Sequence, residues 1–131
     1  MKSPGSGTKR ILVVDDEPAI CDVCQRVLIS EGFEVEIAAQ GNVAQDMVEE
    51  KRYDLCLIDI KMPVLNGKEL YEWMREKHPH LARRVIFITG SVMGGYTQAF
   101  LEQTGRPFLL KPFTPDELKA KVRETLRQLE K

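Results

Sequence analysis

Residues 55–67 read LCLIDIKMPVLNG, an apolar run that ends at an aspartate and continues into a loop with proline and glycine. A short run that is apolar on both faces is typical of a strand buried in a parallel sheet. Similar runs recur along the chain, and each is followed by a stretch of helical character. The five runs cover residues 11–14, 35–39, 55–58, 85–88 and 108–110.

Apolar residues recur at spacings of three and four after each run, as on the buried face of a helix. This periodicity predicts helices over residues 18–31, 42–50, 67–77 and 96–103, and a last helix after Thr114. Residues 114–117 read TPDE, a capping box with proline at the first helical position. With right-handed crossovers, the fivefold alternation predicts a doubly wound α/β domain, an open parallel sheet with helices on both faces.

Composition restricts the classes of function. The 131 residues include 19 basic and 20 acidic side chains, a net charge of -1, so there is no basic excess for nucleic acid or an anionic membrane. No apolar run approaches the ~20 residues needed to cross a bilayer, and the first residues given lack the apolar h-region expected of a signal peptide. We expect a cytoplasmic domain over residues 10–131, preceded by a disordered tail or linker over residues 1–9. The chain is expected to be either a stand-alone regulator or a domain excised from a larger protein such as a hybrid kinase, and the Gly-Ser-Gly in the tail favours excision.

The cysteines and histidines predict packing rather than chemistry. Cys21 and Cys24 form a C-x-x-C pattern inside a predicted helix, with no second ligand pair to complete a zinc site. Cys56 lies within an apolar run, and an odd number of cysteines does not suggest a disulfide framework. His78 and His80 flank a proline and are interpreted as loop residues.

Polar residues follow the predicted strands where ligands of open α/β sheets bind, at the carboxyl ends. Any one of them alone is compatible with a structural role such as helix capping. Together they predict a site built from distant parts of the chain. The residues are Asp15 and Asp16 after the first strand, Asp59 after the third, Thr89 after the fourth and Lys111 after the fifth.

Three clustered carboxylates with one lysine remain negative and attract a hard divalent cation such as Mg²⁺. A carboxylate is also a competent nucleophile toward a phosphoryl group. The charge on a transferring phosphoryl group is neutralised by a metal, a lysine or a hydroxyl donor. These residue types therefore predict Mg²⁺-assisted phosphoryl transfer to an aspartate.

Four segments in this order resemble the receiver domain of response regulators, over residues 10–130. They read ILVVDDEP, LCLIDIKMPVLNG, VIFITG and FLLKPF. The resemblance implies a flavodoxin-like (βα)5 fold with five parallel strands in the order 2-1-3-4-5. It also implies a two-component signalling domain that takes a phosphoryl group from the phosphohistidine of a sensor histidine kinase, which could lie in the same polypeptide.

The resemblance assigns roles to individual residues. Asp59 resembles the phosphoacceptor; Asp15, Asp16, Asp59 and the backbone carbonyl of Lys61 resemble the Mg²⁺ ligands. Thr89 resembles the hydroxyl and Lys111 the cation that contact the phosphoryl oxygens. Phe108 resembles the switch aromatic. The Lys111–Pro112 bond is commonly cis in this family.

The family resemblance also implies how the signal leaves the domain. A face made by the helix over 96–103, the strand over 108–110 and the last helix changes on phosphorylation, and a phosphorylation-dependent homodimer is one expected partner. Glycines at 90, 94 and 95 lower the cost of moving the loop before that helix. In the helix, Ala99 and Phe100 are expected to face inward, which leaves Tyr96 or Leu101 exposed.

Other functions fit the sequence less well. Phosphatases of the haloacid dehalogenase type place their aspartate nucleophile in a D-x-D pattern after the first strand, where this chain has Asp15-Asp16-Glu17. A nucleotide-binding fold needs a glycine-rich loop at that point, and VVDDEP has no glycine. A degenerate receiver that acts only as an interaction module would lack one of the site residues. We therefore expect a phosphoacceptor that promotes its own phosphorylation and dephosphorylation, rather than an enzyme with turnover.

Overall fold

The computed structural model describes residues 7–91 and 95–130; residues 1–6 of the predicted tail, Gly94 of the predicted loop and Lys131 lie outside them. Five parallel strands form one sheet in the order β2-β1-β3-β4-β5, which confirms the predicted fold class. The strands are β1 (Arg10–Val14), β2 (Glu34–Ala38), β3 (Leu55–Asp59), β4 (Val85–Thr89) and β5 (Phe108–Leu110). The helices within the described residues are α1 (Pro18–Ser30), α2 (Gly41–Glu50), α3 (Gly67–Lys77), α4 (Pro79–Ala82), α5 (Gly95–Thr104) and α6 (Pro115–Leu129).

Alternate residues of the central strands fill two separate hydrophobic layers. On one face, Leu12, Cys56 and Phe87 pack with residues of α2, α3 and α5. On the other face, Ile11 and Leu57 pack with α1 and α6. Because successive strand side chains point to opposite faces, a central strand covered on both sides must be apolar throughout. This explains the continuous apolar runs in the sequence.

The two edge strands are less buried than their sequences suggested. Only Ala38 is fully buried in β2, and Glu36 in that strand pairs with Lys51 at 3.0 Å and Arg10 at 3.6 Å. In β5, Leu109 is buried, whereas Phe108 and Leu110 are 36% and 44% exposed. Edge strands have a neighbour on one side only, so the helices do not cover them as completely as the centre of the sheet.

Helix starts follow the capping chemistry of the sequence. Thr114 Oγ1 accepts a hydrogen bond from the backbone N–H of Glu117, and the Glu117 carboxylate accepts one from the backbone N–H of Thr114, so the predicted capping box is confirmed. Asn66 and Glu69 form a second capping box, which was not predicted, at the start of α3. His80 lies in the short helix α4 rather than in a loop, because Pro79 is compatible with the first turn of a helix.

The face of α5 differs from the prediction. Phe100 and Leu101 are both buried, with 4% and 5% exposure, while Ala99 is exposed and Tyr96 is 74% exposed. The ring of Phe100 packs edge-to-face against Tyr71 and Phe87, which fixes the rotation of the helix. The expectation that Tyr96 or Leu101 is exposed is confirmed by Tyr96, and the expectation that Ala99 faces inward was wrong.

Cys24 and Cys56 are buried, and Cys21 is half-buried. Burial, helped by the nearby charge of Asp15, raises the pKa of Cys24 to about 12, so its thiol stays protonated at neutral pH. The prediction that these cysteines serve packing agrees with this environment. Among the described residues, no helix combines the length and apolar character needed to cross a membrane.

Candidate functional site

The carboxyl ends of the parallel strands bring the predicted acidic and basic residues to one edge of the sheet. Asp15 follows β1 directly and its backbone N–H donates to Ala38 of β2 at 3.1 Å. Asp59 is the last residue of β3. Lys111 follows β5, and its backbone N–H donates to the carbonyl oxygen of Thr89 at 2.8 Å. Backbone hydrogen bonds within the sheet therefore fix the main-chain positions from which these three side chains project.

Lys111 joins the carboxylates. Its Nζ lies 3.1 Å from Oδ2 of Asp15, 3.4 Å from Oδ2 of Asp59 and 2.5 Å from Oε1 of Glu17. Asp15 and Asp59 are buried, and the Lys111 side chain is only 15% exposed. The predicted grouping of Asp15, Asp59 and Lys111 is thus present in the structure.

Glu17 belongs to this cluster and was not among the predicted site residues. It stands two residues after Asp15, and Oδ1 of Asp15 accepts a hydrogen bond from its backbone N–H at 2.9 Å. Side chains two positions apart in an extended segment point to the same side, and Glu17 has extended backbone angles. Applied to the acidic run from 15 to 17, this alternation predicts that the side chains of Asp15 and Glu17 lie on the same side.

The other predicted residues are placed around the cluster. Asp16 is exposed and does not belong to the group of converging carboxylates found among residues 7–91 and 95–130. Thr89 is buried, and its hydroxyl donates to the carbonyl oxygen of Ser91 at 2.9 Å. The side chain of Lys61 is exposed, while its backbone N–H donates to Oδ1 of Asp59 at 3.2 Å. Phe108 is partly exposed at the edge of the sheet.

The electrostatics of the site disfavour ionised carboxylates. Burial, and then repulsion from Asp15, raises the pKa of Asp59 to about 6, although Lys111 and the N–H of Lys61 act in the opposite direction. Burial also raises the pKa of Asp15. For Lys111, burial alone would lower the pKa, but its close contacts with the carboxylates of Glu17 and Asp15 outweigh that effect and the pKa is raised.

These residues fit a hard divalent cation. Carboxylate oxygens of Asp15, Glu17 and Asp59 all lie within 4.8 Å of one another. Oδ2 of Asp15 is buried and accepts no hydrogen bond of good geometry, despite the nearby lysine. Mg²⁺ is bound in proteins by one or two carboxylates together with water and phosphate oxygens. A cation here would satisfy the buried oxygen and offset the mutual repulsion of the carboxylates.

The loop after Asp59 is held by close backbone packing. A Cβ atom at Gly67 would overlap the carbonyl oxygen of Asp59 and lie 2.8 Å from Cα of Ile60, so the start of α3 can approach β3 only with glycine here. The backbone N–H of Gly67 donates to the carbonyl oxygen of Ile60 at 2.9 Å. Within the same loop Val64 has φ of 69°, a left-handed conformation that a β-branched residue rarely adopts.

The peptide bond Lys111–Pro112 is cis, as the family resemblance implied.

Comparison with known proteins agrees with this architecture. The family model described as response regulator receiver domain matches residues 11–123. The DNA-binding response regulator MtrA of Mycolicibacterium smegmatis is 34% identical over 122 residues, which cover 93% of this chain and 52% of MtrA. The chain thus spans about half the length of the curated relatives it matches.

Solved structures of receiver domains have the same fold. A CheY-like receiver domain protein from Methanospirillum hungatei superposes with a TM-score of 0.85 and 35% identity, covering 95% of this chain and 98% of that one. The response regulator TrrA of Thermotoga maritima, solved in complex with Mg²⁺-BeF, superposes with a TM-score of 0.77 and 34% identity, covering 90% of this chain and 99% of TrrA. From the match of the family model, the sequence relatives and the strand-end site, we conclude that the chain belongs to the response regulator receiver domain family and is a domain of two-component signalling.

Proposed function

We propose that this receiver domain accepts a phosphoryl group on Asp59 from a phosphohistidine of a sensor histidine kinase. The observation that carries the proposal is the convergence of Asp15, Asp59 and Lys111 at the carboxyl edge of the sheet. A carboxylate oxygen of Asp59 attacks phosphorus, the P–N bond to the donor imidazole breaks, and the imidazole leaves. The phosphoryl group stays on the chain, so the domain is a phosphoacceptor and not an enzyme with turnover.

The surrounding residues have distinct parts in this transfer. Asp15 and Asp59, with Asp16 and the backbone carbonyl of Lys61 as the further ligands that the family resemblance implies, would hold Mg²⁺, which neutralises charge on the phosphoryl oxygens when it is bound. The ammonium group of Lys111 and the hydroxyl of Thr89 donate to those oxygens. The low exposure of Lys111 and Asp59 strengthens this electrostatic interaction, because few water molecules screen it.

Phosphorylation is read out on the face made by α5, β5 and α6. Thr89 moves toward the new phosphoryl oxygens and gives up its hydrogen bond to the carbonyl oxygen of Ser91. Phe108, partly exposed in this structure, turns inward as the switch aromatic. A local change in charge thereby biases a two-state element, and the altered face binds a partner or a second copy of the domain.

The proposed domain covers residues 10–131, with residues 1–9 as a tail or linker. We place it in the cytoplasm, where its kinase is a separate protein or part of the same polypeptide. MtrA is a DNA-binding response regulator, but the domain proposed here contacts neither DNA nor membrane directly, in keeping with its net charge of -1. Its output depends on protein contacts.

The test is chemical phosphorylation with acetyl phosphate, followed by intact-mass measurement. With Mg²⁺ the wild type is expected to gain one acid-stable, hydroxylamine-labile phosphoryl group, and with a chelator it is expected to gain none. Asp59→Asn should not be labelled, whereas Asp46→Asn, a matched change at an exposed position of α2, should be labelled like the wild type. Equal labelling of Asp59→Asn would refute the assignment, and no labelling of the wild type would favour a degenerate receiver that acts only as an interaction module.

A further inference from the structure

The ammonium group of Lys111 is shared among three carboxylates of unequal accessibility. The shortest contact is with Glu17, at 2.5 Å, and the longest is with Asp59, at 3.4 Å. The Glu17 side chain is 56% exposed, whereas those of Asp15 and Asp59 are 0% and 5% exposed. The most accessible carboxylate is therefore also the one closest to the lysine.

Both residues of this close pair are anchored through their backbones. The N–H of Glu17 donates to Oδ1 of Asp15 at 2.9 Å, and Glu17 is the N-cap of α1. The N–H of Lys111 donates to Thr89 at 2.8 Å, which ties it to the end of β4. The two side chains meet across the mouth of the site, with Asp15 and Asp59 beneath them.

We propose that Glu17 is a positioning residue that holds Lys111 in the unphosphorylated protein and releases it when Asp59 is phosphorylated. This inference rests on the phosphoacceptor function proposed above. A lysine ammonium has three N–H donors, and here three carboxylates already surround it. A phosphoryl group on Asp59 adds acceptor oxygens, which compete with Glu17 and Asp15 for the ammonium group of Lys111.

Exposure decides which carboxylate gives up the lysine. Loss of its cationic partner leaves a buried carboxylate without compensation, which is costly. An exposed carboxylate is solvated by water instead, and exposed ion pairs contribute little net stability. Glu17 can therefore release Lys111 at small cost, whereas Asp15 cannot. When Lys111 turns to a phosphoryl group on Asp59, it loses its contact with Glu17. That loss offsets part of the attraction between Lys111 and the phosphoryl group.

Glu17→Gln separates this role from simple metal binding, because the amide keeps the shape of the side chain and loses its charge. Affinity for beryllofluoride, a phosphoryl mimic, would be measured by calorimetry at saturating Mg²⁺. We expect Glu17→Gln to bind beryllofluoride about two- to fivefold more tightly than the wild type, the range that corresponds to loss of an exposed ion pair. Glu124→Gln, the same change at an exposed position of α6, should leave the affinity unchanged. Unchanged or weaker binding by Glu17→Gln would overturn the proposal and would indicate that Glu17 serves the metal.

A second measurement needs neither metal nor phosphoryl mimic. Urea unfolding of wild type, Glu17→Gln, Lys111→Met and the double variant in chelator gives the coupling between the two side chains. We expect a favourable coupling, seen as a smaller shift of the unfolding midpoint by Glu17→Gln when Lys111 is absent. Additive shifts would show that Glu17 does not hold Lys111 and would refute the proposal. Failure of the wild type to bind beryllofluoride would count against the phosphoacceptor function and not against the role of Glu17. Urea unfolding of the four proteins in chelator would still decide whether Glu17 holds Lys111.

Discussion

Lys111 Nζ lies 3.4 Å from Oδ2 of Asp59, although 52 positions separate the two residues in the chain. The attraction of Lys111 does not offset the effect of burial and of the Asp15 charge on the pKa of Asp59. Burial and the neighbouring charge of Asp15 raise the pKa of Asp59 from 3.8 to about 6. The domain is therefore destabilised when Asp59 ionises without a metal ion.

The pH dependence of stability follows from that shift. Between about pH 4 and pH 6 the folded state holds a proton on Asp59 that the unfolded state has released, so the free energy of unfolding falls as pH rises through this range. Asp59→Asn removes this contribution. We expect the variant to be more stable than the wild type by ~1–3 kcal/mol above pH 7 in chelator, and the difference to shrink toward pH 4. Urea unfolding at a series of pH values measures the difference in free energy of unfolding between Asp59→Asn and the wild type. A difference that does not change with pH would contradict the raised pKa of Asp59.

Mg²⁺ should relieve the same repulsion. A ligand that binds only the folded state raises its stability in proportion to the logarithm of its concentration relative to Kd. We expect millimolar Mg²⁺ to raise the Tm of the wild type and Asp15→Asn or Asp16→Ala to reduce that response, while Asp46→Asn keeps it. A wild-type Tm that does not change with Mg²⁺ would argue against the proposed metal site.

Val64 is expected to destabilise the loop that follows Asp59. Its φ of 69° is unfavourable for a β-branched side chain, and the side chain is 86% exposed, so packing does not compensate. Asparagine tolerates the left-handed conformation. Val64→Asn should therefore raise the free energy of unfolding by about 1 kcal/mol, measured by urea unfolding. The matched change Val43→Asn, at an exposed position in α2, should not stabilise the protein.

Gly67 should be intolerant of any side chain. A Cβ atom there would overlap the backbone of Asp59 and Ile60, which cannot yield without moving the end of β3. We expect Gly67→Ala to destabilise the domain by roughly 1–3 kcal/mol, the range for overpacking. Gly90→Ala is the control, since a Cβ at Gly90 meets nothing within 4 Å. Equal urea midpoints for the two variants would show that the close approach of α3 to β3 is not required.

Sequence patterns predicted the fold and the convergence of Asp15, Asp59 and Lys111, because both depend on strand order and on where the strands end. Glu17 was missed because only the first two residues of the acidic run from 15 to 17 were selected, although the alternation of side chains in an extended segment places Glu17 on the same side as Asp15. In α5, the adjacent apolar residues Phe100 and Leu101 left the buried face ambiguous, and ring packing against Phe87 decided it. The exposure of β2 and β5 depends on their position at the sheet edges, which their own residues do not reveal.

The position of the phosphoryl group in the chain identifies the acceptor residue. After phosphorylation with acetyl phosphate and Mg²⁺, reduction with borohydride converts an aspartyl phosphate to homoserine, which peptide mass spectrometry locates in the sequence. We predict homoserine at residue 59 in the wild type, none at Asp15, Asp16 or any other carboxylate, and none in Asp59→Asn. Homoserine at another aspartate, with residue 59 unmodified, would contradict the central claim that Asp59 is the phosphoacceptor.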